Sequence, residues 1–305
     1  MILSASYRTD IPAFYGDWFR NRLKAGYVRV ENPYGGKPST LSLRKPDVDG
    51  FVFWTRNIEP FLPVLDALCA QAYPFIVTQT LTGYPKALEE RVADANRAIR
   101  AMRQVAERFG PRVLVWRYDP ILITSLTTPE WHLENFAALA RGLRGACDEV
   151  VVSFAQIYQK TSRNLTAAVQ KHGFSWQNPE NSAKRALIAR LAGIAGAEGM
   201  RLSVCCQPEL ISEGVQPARC IDPDRLRGIA GREFPFKFRG TRPDCGCAES
   251  RDIGAYDTCP HGCAYCYGVS NRATALGRFK AHDPNGEFLI TPEKPPVSST
   301  ADLFE

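Results

Sequence analysis

The sequence predicts an α/β fold, most simply an open or closed (β/α) barrel in one large domain. Short runs of β-branched and aromatic residues alternate with long amphipathic segments, which is typical of βα units around a parallel sheet. With 305 residues, 45% of them hydrophobic, the chain can bury a large core. Polar residues follow several runs, where the loops of a barrel carry its chemistry. The predicted strands cover residues 2–6, 51–54, 74–80, 113–116, 149–154 and 201–205.

Three helices are predicted between these strands. The first should begin at Pro85, which suits a first helical turn, and end at Gly110; apolar residues recur between them at steps of three and four. Thr128 before Pro129 predicts the start of a second helix. The third contains the apolar stripe Leu187, Leu191 and Ile194.

Outside these units the sequence predicts a hairpin and a tail. Residues 27–43 form the hairpin, with its turn at residues 33–38. Residues 284–305 are rich in proline and predict a loosely packed tail. The predicted barrel domain therefore covers residues 1–283, with a cysteine-rich region at residues 200–270.

Composition and charge argue against several broad classes. The net charge of +6 suits an anionic ligand, but Lys and Arg are spread along the chain rather than massed as in a dedicated nucleic-acid binder. The sequence opens without a secretory signal, and no apolar stretch reaches the roughly 18 residues of a membrane span. We therefore expect a cytoplasmic protein that has no membrane partner.

The ten cysteines are distributed unevenly. Cys69 and Cys147 lie in or beside apolar helical segments and are interpreted as small buried residues. The other eight fall in the last third of the chain, and such clustering in a reducing compartment indicates metal binding or catalysis rather than disulfides. Three of them crowd into the stretch CPHGCAYCY, where Tyr265 precedes the last thiol; they are Cys259, Cys263 and Cys266.

This stretch resembles the CxxxCxxC signature of the radical S-adenosylmethionine (SAM) superfamily. The resemblance implies that the three thiolates bind a [4Fe-4S] cluster whose free iron chelates the amino and carboxylate groups of SAM. An electron then cleaves SAM to methionine and a 5′-deoxyadenosyl radical, in an oxygen-sensitive enzyme. Tyr265 would lie near the adenine. The alternative is a zinc knuckle, in which His261 could be a ligand.

The whole chain also resembles a radical SAM-like family catalogued as a domain of unknown function, in which the cysteine cluster comes last. The matching segments are SYRTDIPAF (6–14), FWTRN (53–57), TLTGY (80–84), WRYDPIL (116–122) and the cluster region (245–267). The resemblance implies a circularly permuted, radical SAM-like partial (β/α) barrel. The strand at residues 252–256 would take the usual first place, and the N-terminal strand the second, which leaves the packing of the ring intact.

The loop after the N-terminal strand would then contact the amino group of SAM. Asp10 could accept a hydrogen bond from that ammonium or cap the following helix, and Arg8 could pair with a carboxylate. Arg117 and Asp119 could form an internal ion pair or bind a ligand. The residues assigned to SAM are Tyr265, Arg8, Thr9, Asp10, Gln79, Arg117 and Ser153. The substrate candidates are Trp54, Arg56, Asn57, Thr82, Asp119, Tyr158 and Lys160.

The remaining clustered cysteines predict a second metal centre. The chosen ligands are Cys206, Cys220, Cys245 and Cys247, around an auxiliary iron–sulfur cluster or, alternatively, a structural zinc ion. Cys205 is left buried on its strand, because alternation places it on the face opposite Cys206.

The leading functional hypothesis is a radical SAM enzyme that abstracts hydrogen from an unidentified anionic or ring-bearing substrate, either a small molecule or derived from a nucleic acid. Such an enzyme needs an electron donor such as flavodoxin or ferredoxin. The alternatives are a zinc-stabilised nucleic-acid-binding protein and an iron–sulfur electron-transfer protein without SAM chemistry. All three start from the same thiols, so metal content and SAM cleavage distinguish them.

Overall fold

The computed structural model describes residues 1–32, 35, 37–240 and 242–292. Its largest element is an eight-stranded sheet in which every neighbouring pair of strands is parallel. The described strands are β1 (Ile2–Ala5), β2 (Tyr27–Val30), β3 (Ser39–Ser42), β4 (Gly50–Thr55), β5 (Phe75–Thr80), β6 (Leu114–Ile121), β7 (Ile123–Thr124), β8 (Glu149–Phe154), β9 (Trp176–Gln177), β10 (Arg201–Val204), β11 (Gln216–Pro217) and β12 (Ser250–Asp252).

Helices connect most neighbouring strands of this sheet. The described α-helices are α1 (Ile11–Phe14), α2 (Gly16–Ala25), α3 (Leu62–Ala70), α4 (Ala95–Phe109), α5 (Pro129–Leu143), α6 (Gln159–His172), α7 (Asn181–Ala197), α8 (Pro223–Ala230) and α9 (Arg272–Lys280). Single turns of 3₁₀ helix occur at Glu59–Phe61, Pro111–Val113 and Pro208–Leu210. No helix in these described stretches is long and apolar enough to cross a membrane.

The strand order in the sheet is β12-β1-β4-β5-β6-β8-β10-β11. All six predicted runs of residues are strands of this sheet, as expected, and they follow one another in chain order. β12 ends at Asp252, where we expected a strand to begin, and it pairs beside β1 at one edge. The sheet therefore places a C-terminal strand next to the N-terminal one, and the mixed α/β class of the fold is confirmed.

The two faces of the sheet bury different partners. One face, which includes Phe53, Val77 and Trp116, packs against the helices in the larger core. The other face, which includes Val52 and Ile76, packs against residues of the segment 205–248. Alternation along each strand therefore assigns every strand-end side chain either to the helix side or to the side covered by the cysteine-rich segment.

The predicted helix after Tyr84 is wrong over its first ten residues. α4 begins at Ala95, where Asp94 caps it by accepting hydrogen bonds from Asn96 N and Arg97 N. Residues 85–94 instead form a loop, and Leu88 O accepts a hydrogen bond from Ala264 N at 2.9 Å. The apolar spacing was compatible with a helix, but the long-range contact with residue 264 competes with it.

The other local predictions are confirmed, apart from the tail and Cys69, which we expected to be buried but which is exposed near the end of α3. Thr128 caps α5, α7 contains the predicted apolar stripe, and β2 and β3 form the hairpin. The hairpin turn lies partly outside the described residues, as do residues 293–305. Residues 284–289 are packed more firmly than expected, since Leu289 is buried and Gly286 O accepts a hydrogen bond from Trp18 Nε1.

A buried histidine makes the stability of this fold depend on pH. His132 is fully buried on α5; Tyr118 OH donates to its Nδ1 at 2.7 Å, and its Nε2 donates to Leu122 O at 3.1 Å. Burial lowers the pKa of His132 to about 4 from an ordinary 6.5. The unfolded chain therefore binds a proton at a higher pH than the folded chain does.

We predict that this histidine stabilises the fold fully above about pH 6.5 and progressively less as the pH falls to 4. One pKa unit corresponds to about 1.4 kcal/mol, so the loss is on the order of 3 kcal/mol. Urea unfolding at pH 7.5 and pH 4.5 measures it. His132→Gln should remove most of this difference, whereas His172→Gln, at an exposed position, should not. Equal pH dependence in both variants would contradict the assignment.

Candidate metal and cofactor site at the strand ends

The three clustered thiols lie on the loop between β12 and α9. This loop is fixed from several directions: Asn164 Nδ2 on α6 donates to Cys266 O and Val269 O, both at 3.1 Å. Tyr15 OH donates to Thr258 O at 2.6 Å. Asn164 and Tyr15 were not among the predicted site residues, because only the tertiary structure brings them to the loop.

Asp252 joins this loop to the N-terminal strand. Its buried carboxylate accepts hydrogen bonds from Ser4 Oγ (2.8 Å), Ser6 Oγ (2.7 Å), Tyr7 N (3.0 Å) and Gly254 N (2.9 Å). Gly254 is required by this close approach, because a Cβ there would lie 2.1 Å from Ser6 Oγ. Burial raises the pKa of Asp252, although Arg8 and these hydrogen bonds oppose that effect.

Asp10 connects the loop to the next two strands. One carboxylate oxygen caps α1 by accepting from Ala13 N at 2.9 Å, which confirms the capping role. The other oxygen accepts from Arg56 N at 2.7 Å and lies 2.8 Å from His261 Nε2. The contact of Asp10 with SAM stays a prediction, and in the structure this residue holds His261 in place.

Glu89 is a central residue of the site that the sequence analysis assigned to a helix instead. Its carboxylate is buried and accepts hydrogen bonds from Arg56 Nη1 (2.7 Å), Thr82 Oγ1 (2.5 Å) and the hydroxyl of Tyr265. Arg56 also donates to the Tyr265 hydroxyl and lies over the ring of Tyr265. The network positions Tyr265 directly before the third clustered thiol, Cys266.

The three thiols are half-buried beside these groups. Burial raises the pKa of Cys259 and Cys266 and raises that of Cys263 to about 12, even though Arg56 opposes the effect at Cys263. A bound metal would deprotonate these thiols, since a metal-coordinating thiol loses its proton. Three thiols on one loop fit the donor set of an iron–sulfur cluster with one iron free of protein ligands.

The arrangement differs from that of a preformed single-ion site. In the described part of the chain, no three or more His, Cys, Asp or Glu side chains are grouped as ligands of one metal ion. His261 Nδ1 is buried without a hydrogen-bond partner, and its other ring nitrogen, Nε2, faces Asp10.

Polar strand ends line the inner side of the sheet, which faces the cysteine-rich segment. Arg117 forms an internal ion pair with Asp119, which was one of the two predicted alternatives. Ser153 Oγ donates a hydrogen bond to the same carboxylate. Trp54 Nε1 donates to Ser4 Oγ at 3.0 Å, and the guanidinium of Arg117 lies 5.0 Å from the centroid of the Trp54 ring. The Trp54 ring and the Arg117 charge thus lie side by side, and Arg117 Nη1 also lies 2.8 Å from Cys220 Sγ.

Aromatic and basic side chains continue this surface. Arg8 lies over the rings of Tyr7 and Tyr256, and Lys160 lies 5.7 Å from the centroid of Tyr256. Two buried atoms here have no hydrogen-bond partner: Arg8 Nε and the hydroxyl of Thr9.

Two further predicted residues are positioned away from this inner side. Gln79 is in phase with Val77 on the helix side of the sheet, fully buried, and neither amide atom has a hydrogen-bond partner. The side chain of Asn57 accepts a hydrogen bond from Glu59 N and caps a local turn. Gln79 was placed correctly at a strand end, but the pleat of β5 turns it to the other face.

The structure contains two notable hollows near the site. A cavity of about 130 Å³ is lined in part by Arg56, Thr82 and Glu89. An open groove of about 570 Å³ runs along α6, and Tyr158 and Arg163 are among the residues that line it. Tyr158 is exposed and hydrogen-bonds Gln156.

The second group of cysteines contains five members rather than the predicted four. Cys205 Sγ lies 3.5 Å from Cys220 Sγ and 3.8 Å from Cys206 Sγ. The argument from strand alternation was wrong because β10 ends at Val204, and Cys206 has a left-handed backbone with φ +50°. Cys245 and Cys247 complete the group through thiol contacts with Cys206, Cys220 and each other.

Comparison with known proteins gives one match. The sequence model of a family described as "Domain of unknown function (DUF1848)" matches residues 2–268. No curated protein and no solved structure matches the chain. The match covers the whole parallel sheet and the three loop thiols.

We predict that Glu89→Gln destabilises the protein by about 3–5 kcal/mol, because it leaves the guanidinium of Arg56 buried without its charge partner. The matched control is Glu90→Gln. Glu90 pairs with Arg272 and Lys171 at a partly exposed position, so its replacement should cost about 1 kcal/mol or less. Urea unfolding of the metal-free proteins at pH 7.5 measures both. Similar losses in the two variants would contradict the charge network around Glu89.

Proposed function

The chain belongs to the DUF1848 family, and we propose that it is a radical SAM enzyme. It would bind a [4Fe-4S] cluster and cleave SAM reductively to a 5′-deoxyadenosyl radical for hydrogen abstraction. The observation that carries this proposal is the position of the thiol loop. Three half-buried thiols follow β12 at the carboxyl ends of a parallel sheet, beside polar groups from the neighbouring strands.

The strand order supports a permuted radical SAM-like barrel. β12 precedes the cluster loop and occupies one edge of the sheet, and β1 follows it as the second strand. From there the order continues through β4, β5, β6, β8 and β10 in chain sequence. A barrel cut after its first unit would have this order, because each strand keeps its neighbours.

The loop residues would hold and enclose the cluster. Cys259, Cys263 and Cys266 would be its ligands, and a bound cluster would supply the electron for reductive cleavage of SAM. Asp10 and Glu89 fix the loop from two sides through His261 and Tyr265. With a cluster bound, these contacts would hold the loop against the sheet and limit the access of water and oxygen, which suits an oxygen-sensitive centre.

Residues of the loop after β1 would contact SAM. The hydroxyl of Thr9 is buried without a hydrogen-bond partner, and such atoms are normally satisfied by a ligand or water. Arg8 Nε also lacks a hydrogen bond, although it lies 3.8 Å from the carboxylate of Asp252. Tyr265 presents an aromatic ring beside the third thiol, where an adenine could pack. These groups would orient SAM, and Arg56 would keep the hydroxyl of Tyr265 directed towards Glu89.

The inner side of the sheet would select the substrate. Arg117, Lys160 and Arg8 provide positive charge among the rings of Trp54 and Tyr256. This combination suits an anionic, ring-bearing molecule. The reaction also needs a one-electron donor such as reduced flavodoxin or ferredoxin, and a reducing compartment such as the cytoplasm.

We predict that Cys263→Ser, purified and reconstituted without oxygen, binds about four fewer iron atoms per chain than the unsubstituted protein. It should form no 5′-deoxyadenosine above background from SAM and dithionite. The matched control is Cys69→Ser, an exposed cysteine on α3, which should keep both the iron and the activity. Iron and sulfide analysis and chromatography of the nucleoside measure the two effects.

The alternatives give different results in the same experiment. Zinc without iron, and no SAM cleavage, would overturn the proposal in favour of a zinc-stabilised nucleic-acid-binding protein. A full iron content with no SAM cleavage would overturn it in favour of an electron-transfer protein.

A further inference from the structure

The cysteines outside the loop triplet form a ring of thiols. Cys205 contacts Cys206 and Cys220; Cys206 contacts Cys245; Cys220 contacts Cys247; and Cys245 contacts Cys247. The members come from three separate segments of the chain, after β10, after β11 and before β12. Five free thiols that meet from three segments are more than the packing of a core requires.

The spacing of the sulfur atoms distinguishes two kinds of metal centre. Zinc–thiolate bonds of about 2.3 Å in a tetrahedron place the sulfur atoms about 3.8 Å apart. In the ring, Cys205 Sγ lies 3.5 Å from Cys220 Sγ and 3.8 Å from Cys206 Sγ. A [4Fe-4S] cube separates its thiolates more widely, because each binds a different iron. The spacing therefore favours one tetrahedral ion over a second cube.

From this geometry we propose that four of these five thiols bind a single tetrahedral metal ion of the zinc class. The sulfur atoms of the ring do not converge on one point, since among the described residues no three such side chains are grouped as ligands of one ion. Binding would draw four sulfur atoms inwards from contacts they already make. The fifth thiol would remain beside the site.

The charges around the ring suit such a centre. Four thiolates and one divalent cation carry a net charge of about −2. Two guanidinium groups lie against the ring: Arg117 Nη1 is 2.8 Å from Cys220 Sγ, and Arg242 Nη2 is 3.9 Å from Cys205 Sγ. Each can donate a hydrogen bond to a thiolate ligand, and such outer contacts tune a metal site.

The place of the ring in the fold indicates a structural role. β11 and β12 are the two edges of the described parallel sheet. Cys220 follows β11, whereas Cys245 and Cys247 precede β12, and Ile221 N donates to Cys247 Sγ at 3.3 Å. An ion held by these residues would link the segments that lead from one edge of the sheet to the other.

The test uses cobalt(II) alone as the probe, in a chain whose loop thiols are replaced by Cys259→Ala, Cys263→Ala and Cys266→Ala. Cobalt bound by four thiolates shows intense visible absorption bands that octahedral cobalt lacks. We expect about one cobalt per chain with these bands, displacement by zinc, and a higher melting temperature with the metal than without it. Because the loop thiols are absent, the result does not depend on the proposed SAM chemistry.

Variants in the ring complete the design. Adding Cys245→Ser and Cys247→Ser to the triple variant should abolish the bands and the shift in melting temperature, and adding Cys69→Ser should change neither. If the triple variant does not fold, the same cobalt titration is made on the metal-free chain with its loop thiols intact. The tetrahedral bands of this chain are then compared with those of the same chain carrying Cys245→Ser and Cys247→Ser. Absence of the bands in the folded protein would overturn the proposal. Uptake of about four iron atoms with sulfide by the triple variant on reconstitution would also overturn it.

Discussion

The carboxylate of Asp252 holds β12 against the N-terminal strand β1, and the site depends on this contact. Three of its hydrogen-bond donors, Ser4, Ser6 and the backbone of Tyr7, belong to β1 or the loop after it. A buried carboxylate is costly unless several donors surround it, so this arrangement strongly favours one register of β12 on β1. The loop with the three thiols begins directly after this anchor. The contacts of Asp252 therefore set the position of this loop relative to the sheet.

The same principle is repeated further along the loop with two other buried acids. Asp10 contacts His261, and Glu89 contacts Tyr265, so each acid fixes a residue that lies between two of the clustered thiols in the sequence. Arg56 contributes to both, through its backbone to Asp10 and through its guanidinium to Glu89. Removing one member of such a network leaves a charge unpaired in the interior, which is why these groups act together rather than as independent contacts.

The sequence predicted the sheet better than it predicted the site. Strand runs such as 51–54 and 149–154 are recognisable because their β-branched and aromatic residues are buried on both faces of a parallel sheet. Glu89 could not be recognised, because residues 85–94 have acceptable helical spacing and long-range contacts, such as those of Leu88 with residue 264 and of Arg91 with His261, make them a loop. Cys205 is buried as expected, but its position opposite Cys206 was predicted wrongly for a similar reason. Strand alternation holds only while the strand lasts, and β10 ends at Val204, before both cysteines.

The two groups of thiols lie in different chemical surroundings on one sheet, which argues for different roles. Asp10 and Glu89 contact residues of the loop that carries the triplet, whereas the guanidinium groups of Arg117 and Arg242 contact thiols of the ring of five. Burial raises the pKa of the Tyr267 hydroxyl; Cys266 raises it further, whereas Arg117 and Arg242 oppose the effect. A reactive centre needs an open coordination position beside a binding surface, whereas a structural ion needs all its positions filled by protein. Three thiols suit the first requirement, and five thiols between the edges of a sheet suit the second.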